Sequence, residues 1–270
     1  MPAIEVVDPA AQAGRLAARV REAGALALSM FQTPLQSWTK GAAASPVCEA
    51  DIAVNDLLHA RLTGDGTGFG WLSEESADDP ARLGARQVWI VDPIDGTRAF
   101  IAGFPDWAVS AALVDNGRPV AACLFAPALA DFFMAVAGRG ATLNGVSIAA
   151  SPGTTLAHAR IAGPKALLER LAAAVPPFAA MPRVRSLALR LARVAQGTFD
   201  AAFAGGNSHD WDLAAADLLV HEAGGALTPF GGGPVIYNRP VPRHGMLVAA
   251  GRDRHVALIE LLSDGRVASS

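Results

Sequence analysis

Two aspartates stand three residues apart at the end of an apolar run: Val88-Trp89-Ile90-Val91 leads into Asp92-Pro93-Ile94-Asp95 and then Gly96-Thr97. A buried strand that ends in carboxylates places them at the rim of a sheet, where α/β folds bind their ligands. Pro93 offers no backbone donor and helps to stop the strand. Asp95-Gly96-Thr97 can turn the chain into a helix starting at Thr97-Arg98-Ala99-Phe100, and free N–H groups at a helix start favour an anion such as phosphate. Carboxylates and phosphate repel each other unless a cation lies between them. A hard divalent ion with oxygen ligands meets that requirement. The plainer reading is a well-capped turn with Asp95 as its N-cap.

Two further acidic elements bear on that choice. Trp71-Leu72-Ser73 ends in Glu74-Glu75, and a helical segment opens with Asp210-Trp211-Asp212. Singly each is ordinary: Glu75 reads as solvated, and either Asp210 or Asp212 could be an N-cap. Together, three element ends that offer carboxylates are a common way to build a two-metal site. Haloacid-dehalogenase-type phosphatases also pair a strand-end Asp with an Asp-Gly-Thr element. Their nucleophile and acid aspartates are two apart, so the spacing of Asp92 and Asp95 disfavours an aspartyl-phosphate.

Helices and strands must carry these residues. Apolar spacing at Leu16, Val20, Leu26 and Met30 predicts a helix from Asp8 to Phe31, and a second is expected from Ala50 to Leu62. The runs 68–72 and 87–91 read as strands. Asp115-Asn116-Gly117 is a turn signal between two apolar strands. Beyond the polar stretch 149–159, strands at Ala159–Ala162, Arg183–Ser186 and Ala201–Phe203 are expected to alternate with helices at Lys165–Ala174, Leu187–Gln196 and Trp211–Ala223. The expectation is two halves, 1–150 and 151–270, in one compact catalytic unit.

The chain has 270 residues, 51% hydrophobic and 17% charged, with a formal net charge of -3. That excludes a basic footprint for nucleic acid or anionic lipid. Charges at Glu5, Asp8, Arg15 and Arg19 interrupt any signal-peptide core, and no run reaches membrane-span length, so a cytoplasmic protein is expected. Cys48 and Cys123 are expected to be reduced and buried, and His59, His158, His221, His244 and His255 lack metal-ligand spacing. His209, beside Trp211, could reach a substrate.

With Ser73-Glu74-Glu75-Ser76, Asp92-Pro93-Ile94-Asp95-Gly96-Thr97 and the segment 211–225 in this order, the sequence resembles the inositol monophosphatase family of magnesium-dependent, lithium-sensitive phosphatases. The resemblance runs from about Lys40 to Gly225. It implies a layered sandwich of alternating helix and sheet layers, of mixed α+β and α/β character. It implies metal ligands at Glu74, Asp92, the Ile94 carbonyl, Asp95 and Asp212. Thr97 and Asp51 would activate the attacking water, with Glu74 and Asp95 completing the catalytic set. Gly96 and Thr97 would meet the phosphate, and Asp95 the substrate hydroxyl. Two or three Mg2+ ions, with Mn2+ as a substitute and Li+ as inhibitor, and a homodimer are the family's pattern.

The departures concern substrate. Cys48 stands where the family usually has Thr, and Ser73 where it has Gly; Ser73-Glu74-Glu75 is the form of relatives that act on 3′-phosphoadenosine 5′-phosphate. Ala204, Gly205 and Gly206 replace the acid that binds inositol, and Arg185-Ser186 occupies the segment that lines the pocket. Arg185 could bind a second phosphate or be a solvated strand-end arginine. The expected function is hydrolysis of a small polyol or nucleotide phosphate of the inositol monophosphate type. The alternatives are 3′-phosphoadenosine 5′-phosphate, histidinol phosphate or a sugar bisphosphate as substrate. A non-catalytic regulator is disfavoured because every expected ligand is present.

Overall fold

In the computed structural model, which describes residues 8–40, 45–64 and 66–263, alternate residues of one strand enter two different cores. The chain opens with α1 (Pro9–Met30), the hairpin β1 (Ser37–Lys40) and β2 (Ser45–Cys48), and α2 (Glu49–Thr63). A sheet follows, of β3 (Gly70–Ser73) and β4 (Gln87–Asp95), then, after α3 (Thr97–Ile101), β5 (Ala108–Asp115) and β6 (Arg118–Ala126). β7 (Asp131–Val136), β8 (Ala141–Leu143) and β9 (Val146–Ile148) complete its seven strands in sequential order. Within this sheet β3 and β4 pair in parallel and the other neighbours antiparallel.

The rest of the chain alternates β10 (Arg160–Ala162), α4 (Lys165–Ala174), β11 (Ala179–Ala180), α5 (Leu187–Ala195) and β12 (Ala201–Ala204). After β13 (Ser208–His209) come α6 (Asp210–Glu222), β14 (Gly225–Pro229), β15 (Arg243–His244), β16 (Leu247–Gly251) and α7 (Arg252–Ser263). The second sheet has the order β11-β10-β12-β16-β14, and β13 pairs with β15 as a separate ribbon.

Period-2 alternation in β4 decides the layers. Trp89 and Val91 pack with Leu16 and Val20 of α1 and with Leu58 of α2. Val88 and Ile90 face the opposite way, towards Leu189 of α5 and Leu213 of α6, and the same core continues into Ala202 and Leu247 of the second sheet. Ile161, Phe203 and Val248 on that sheet's far face pack with Leu167 of α4 and Leu258 of α7. The result is five layers, α–β–α–β–α, the alternating sandwich that was expected. Each fully buried Leu or Val contributes roughly 1.5–3 kcal/mol over exposure.

Local signals act as read. Asp8 caps α1 by accepting from Ala10 N at 2.9 Å, with Pro9 in the first turn. Asn116 (φ 48°) and Gly117 (φ 77°) form the two-residue turn between Asp115 and Arg118. Gly24 lets α1 lie against β6, since a Cβ there would overlap the Phe125 ring. No helix among the described residues is long and apolar enough to cross a membrane.

One expected strand is absent. Arg183–Ser186 is irregular, because Ser186 is already the N-cap of α5 and its hydroxyl accepts from Leu189 N at 3.0 Å. The strand in that region is Ala179–Ala180, paired with Arg160 and Ile161.

Candidate active site

In a regular strand, residues three apart point to opposite faces. Asp92 and Asp95 nevertheless lie together, because the pairing of β4 with β5 slips between them. Asp92 opposes Ser110, whereas Asp95 opposes Ala108, so β4 spends one extra residue in a bulge at Pro93-Ile94. The slip shows in the cores: Val88 and Ile90 belong to the α5–α6 side, yet Ile94 packs on the α1–α2 side. Asp95 is thereby turned back onto the face that carries Asp92.

Asp212, in the first turn of α6, completes the group, and ligand oxygens of Asp92, Asp95 and Asp212 all lie within 4.8 Å of one another. Asp92 is 1% and Asp95 6% exposed. Burial, then the charges of Glu74, Asp95, Asp212 and Asp51, pushes the Asp92 carboxyl far above the usual carboxylate range. Burial and the Asp95 charge do the same to Asp212. Asp92 Oδ1 is buried without a hydrogen-bond partner. Three carboxylates that repel one another, Asp92 and Asp95 buried and Asp212 partly so, one with an oxygen left bare, form a donor set that fits a hard divalent cation.

Helix starts hold these acids in place. His209 N donates to Asp212 Oδ2 at 2.6 Å. Asp51, in the first turn of α2, accepts from the backbone N and from Sγ of Cys48, each at 2.8 Å. Asp95 Oδ2 accepts from Ser186 Oγ and from Ala188 N, both at 2.6 Å, and so caps α5. The N-termini of α2, α5 and α6 thus converge, and helix dipoles favour negative charge there. Asp95 does not cap α3. That cap is Gly96, at φ 99°, where a Cβ would lie 3.2 Å from Asp106 O and 3.4 Å from Ser186 Cα.

Thr97 Oγ1 lies 2.9 Å from Asp51 Oδ1 and 3.1 Å from Ile94 O. Its single proton serves one acceptor at a time, so engagement of the Ile94 carbonyl elsewhere would commit it to Asp51. Glu74 follows β3, and its N–H donates to Val91 O at 3.3 Å. Burial, partly offset by Lys40, holds the Glu74 carboxyl at about 7.

Glu75 is not solvated. Its side chain is 3% exposed and takes Lys40 Nζ at 2.5 Å, while Lys40 also donates to Glu74 O at 2.8 Å. Of Asp210 and Asp212, which the residue pattern leaves equivalent, Asp210 turns away to His244 Nε2 and Asn238 N, each at 2.7 Å. His209 stacks flat on Trp211 beside Asp212, with ring centroids 4.5 Å apart.

Arg185 stands on a loop, not at a strand end. Its guanidinium lies 3.2 Å from Asp106 Oδ1 and 3.7 Å above the Phe104 ring. Ser186 is fully buried and spends its hydroxyl on Asp95, so it touches the site through that carboxylate. Lys40 and Asp106 went unnoticed in the sequence as site residues, because a lone basic or acidic residue carries no local signal. A groove of about 960 Å3 lies elsewhere, between α4, β11 and Arg190, and includes none of the acidic group.

Comparison with known proteins is consistent with this geometry. The model of the inositol monophosphatase family matches residues 10–265. An inositol monophosphatase of Dictyostelium discoideum is 34% identical over 226 residues, covering 79% of this chain and 83% of that one. A 3′-phosphoadenosine 5′-phosphate phosphatase of Mycobacterium bovis is 34% identical over 220 residues, covering 77% and 76%. Among solved structures, the extragenic suppressor protein suhB from Bartonella henselae superposes with a TM-score of 0.82. The identity there is 29%, covering 94% of this chain and 99% of that one.

Proposed function

Since the chain belongs to the inositol monophosphatase family, we propose that it is a Mg2+-dependent phosphomonoesterase acting on a small polyol or nucleotide phosphate of the inositol monophosphate type. The observation that carries the reading is the meeting of Asp92, Asp95 and Asp212 within 4.8 Å of one another, beside the Thr97–Asp51 pair. Glu74, Asp92, the Ile94 carbonyl, Asp95 and Asp212 would hold two or three Mg2+ ions, with Mn2+ as a substitute and Li+ as inhibitor. When bound, such ions supply positive charge for the phosphate oxygens and lower the pKa of a nearby water.

The chain's own groups do the remaining work. Thr97 orients the attacking water and takes its proton while passing its own hydroxyl proton to Asp51, since Oγ1 already lies 2.9 Å from Oδ1. Gly96 and Thr97 open a helix whose first N–H groups have no intrahelical acceptor, and these meet the phosphate. Asp95 orients the substrate hydroxyl, and Ser186 and Ala188 hold Asp95 still while it does so. Positioning and electrostatics then lower the barrier without a covalent intermediate. The halves 1–150 and 151–270 act as one unit, because α5 and α6 from the second bring Ser186 and Asp212 to β4 of the first.

3′-Phosphoadenosine 5′-phosphate is the second reading. Ala204, at the end of β12, is fully buried and offers no carboxylate for an inositol ring. Arg185, held by Asp106 and Phe104, would meet a second anionic group. A cytoplasmic homodimer is part of the proposal.

Phosphate release tests both readings. Inositol 1-phosphate, 3′-phosphoadenosine 5′-phosphate, histidinol phosphate and fructose 1,6-bisphosphate are each assayed with Mg2+, with chelator, and with Mg2+ plus Li+. Mg2+-dependent release that Li+ suppresses is expected. A strong preference for the adenosine compound would replace the first substrate by the second, and no release from folded, Mg2+-bound protein would overturn the reading.

A further inference from the structure

Cys48 is fully buried at the N-cap of α2. Ser, Thr, Asn and Asp are the usual residues at such a position, because an oxygen there bonds a free N–H of the first turn. A thiol is a poor substitute as an acceptor. Besides accepting from the Asp51 N–H in a capping box, it is a donor, and the partner of that donor is a carboxylate: Cys48 Sγ lies 2.8 Å from Asp51 Oδ2.

We infer that Cys48 is a positioning residue for the reaction: its S–H orients the Asp51 carboxylate so that Oδ1 faces Thr97. Three donors divide the two oxygens. Cys48 N and Cys48 Sγ both meet Oδ2 at 2.8 Å, and Thr97 Oγ1 meets Oδ1 at 2.9 Å. The backbone donor alone leaves the carboxylate plane free to turn about it; the second donor on the same oxygen removes that freedom. Asp51 is 1% exposed, so no solvent is available to replace a lost donor.

The thiol keeps its proton. Burial, and then the Asp51 charge, pushes its pKa up to about 12, so it stays a donor and is no nucleophile. Asp51 is itself raised by burial, and the bonds from Cys48 and Thr97 oppose that rise. The same contact therefore favours the ionised form that receives the Thr97 proton. The inference rests on the proposed role of Asp51 and Thr97 in activating water.

Two measurements test it. The first is infrared absorption of the S–H stretch, which hydrogen bonding moves to lower frequency. Cys123→Ala protein reports Cys48 alone, and Cys48→Ser protein reports Cys123 alone. The Cys48 band should lie below that of Cys123 and move up in Asp51→Asn; coincident bands would overturn the inference.

The second is steady-state kinetics with Mg2+. Cys48→Val loses the donor and adds about one methyl group of volume, and is expected to lower kcat about tenfold with KM within about twofold. Cys48→Ser restores a donor and should return kcat to within about threefold of the unmodified chain. Undiminished kcat in Cys48→Val would sink the assignment. So would equal losses in the Val and Ser variants that simply follow their melting temperatures. If the unmodified chain hydrolyses no phosphomonoester, the functional reading fails and takes the inference with it, while the S–H shift remains.

Discussion

Asp95 and Ser186 are 91 residues apart in the chain, yet Ser186 Oγ donates to Asp95 Oδ2 at 2.6 Å. Ala188 N meets the same oxygen at 2.6 Å, so one strand-end carboxylate both serves the acidic group and starts α5. The seven-stranded sheet and the helix layer behind it are pinned together at the site itself.

Loss of that bond should be felt in stability and in rate. Ser186→Ala removes the hydroxyl's share of the α5 cap, its bond from Leu189 N, and is expected to cost about 1 kcal/mol of stability. It should also lower kcat about tenfold, since Asp95 keeps only its backbone donors. Ser186→Thr should retain most of both. Thermal melts and kinetics with Mg2+ check this; a full loss of stability with unchanged kcat would separate the cap from the chemistry.

Asp92 offers an opposite pair of effects. Its carboxylate is buried among other acids and its Oδ1 has no partner, so the metal-free fold is working against its charge. Asp92→Asn is therefore expected to melt higher than the unmodified chain in chelator, and to gain less from Mg2+. Its kcat should fall by about a thousandfold or more, whereas Glu75→Gln should lose far less. Near-normal turnover in Asp92→Asn would remove the site assignment.

Acid should stabilise the metal-free protein. Glu74 ionises at about 7 in the fold, chiefly because it is buried, against an ordinary value of 4.5. Between those values the folded chain holds more protons than the unfolded chain. Stability in chelator should therefore be greatest at the acid end of the window and fall as pH rises towards 7. Saturating Mg2+ should flatten the slope, and its binding should release protons within the window. Urea unfolding across the range, with and without Mg2+, reads the first effect; calorimetry in buffers of different ionisation enthalpy reads the second. A slope of the other sign would mean that different groups dominate.

Thr97 and Asp51 should behave as one device. Thr97→Val and Asp51→Asn are each expected to lower kcat by about a hundredfold or more, with little effect on KM. The double variant should be hardly worse than either alone, because the second change removes a partner already idle. Strict multiplication of the two losses in a kinetic cycle would argue that they act separately.

The residue order alone determined a good deal about this protein. Helical spacing set α1 and α2, the Asn-Gly pair set the β5–β6 turn, and the acids at the strand ends 74, 92 and 95 and at the helix start 212 pointed to a cation. These signals are local: each follows from backbone dihedrals and side-chain period over a few residues. Two aspartates three apart point to opposite faces of a regular strand, and only the slip in β4–β5 pairing showed how they meet. Partner choice was likewise settled by packing. Asp210 turned to His244 while Asp212 joined the acids, Glu75 was sealed by Lys40, and Arg183–Ser186 became the lead into a helix rather than a strand. Such choices depend on which distant element lies within about 3 Å of a polar atom, and that distance exists only once the layers have stacked.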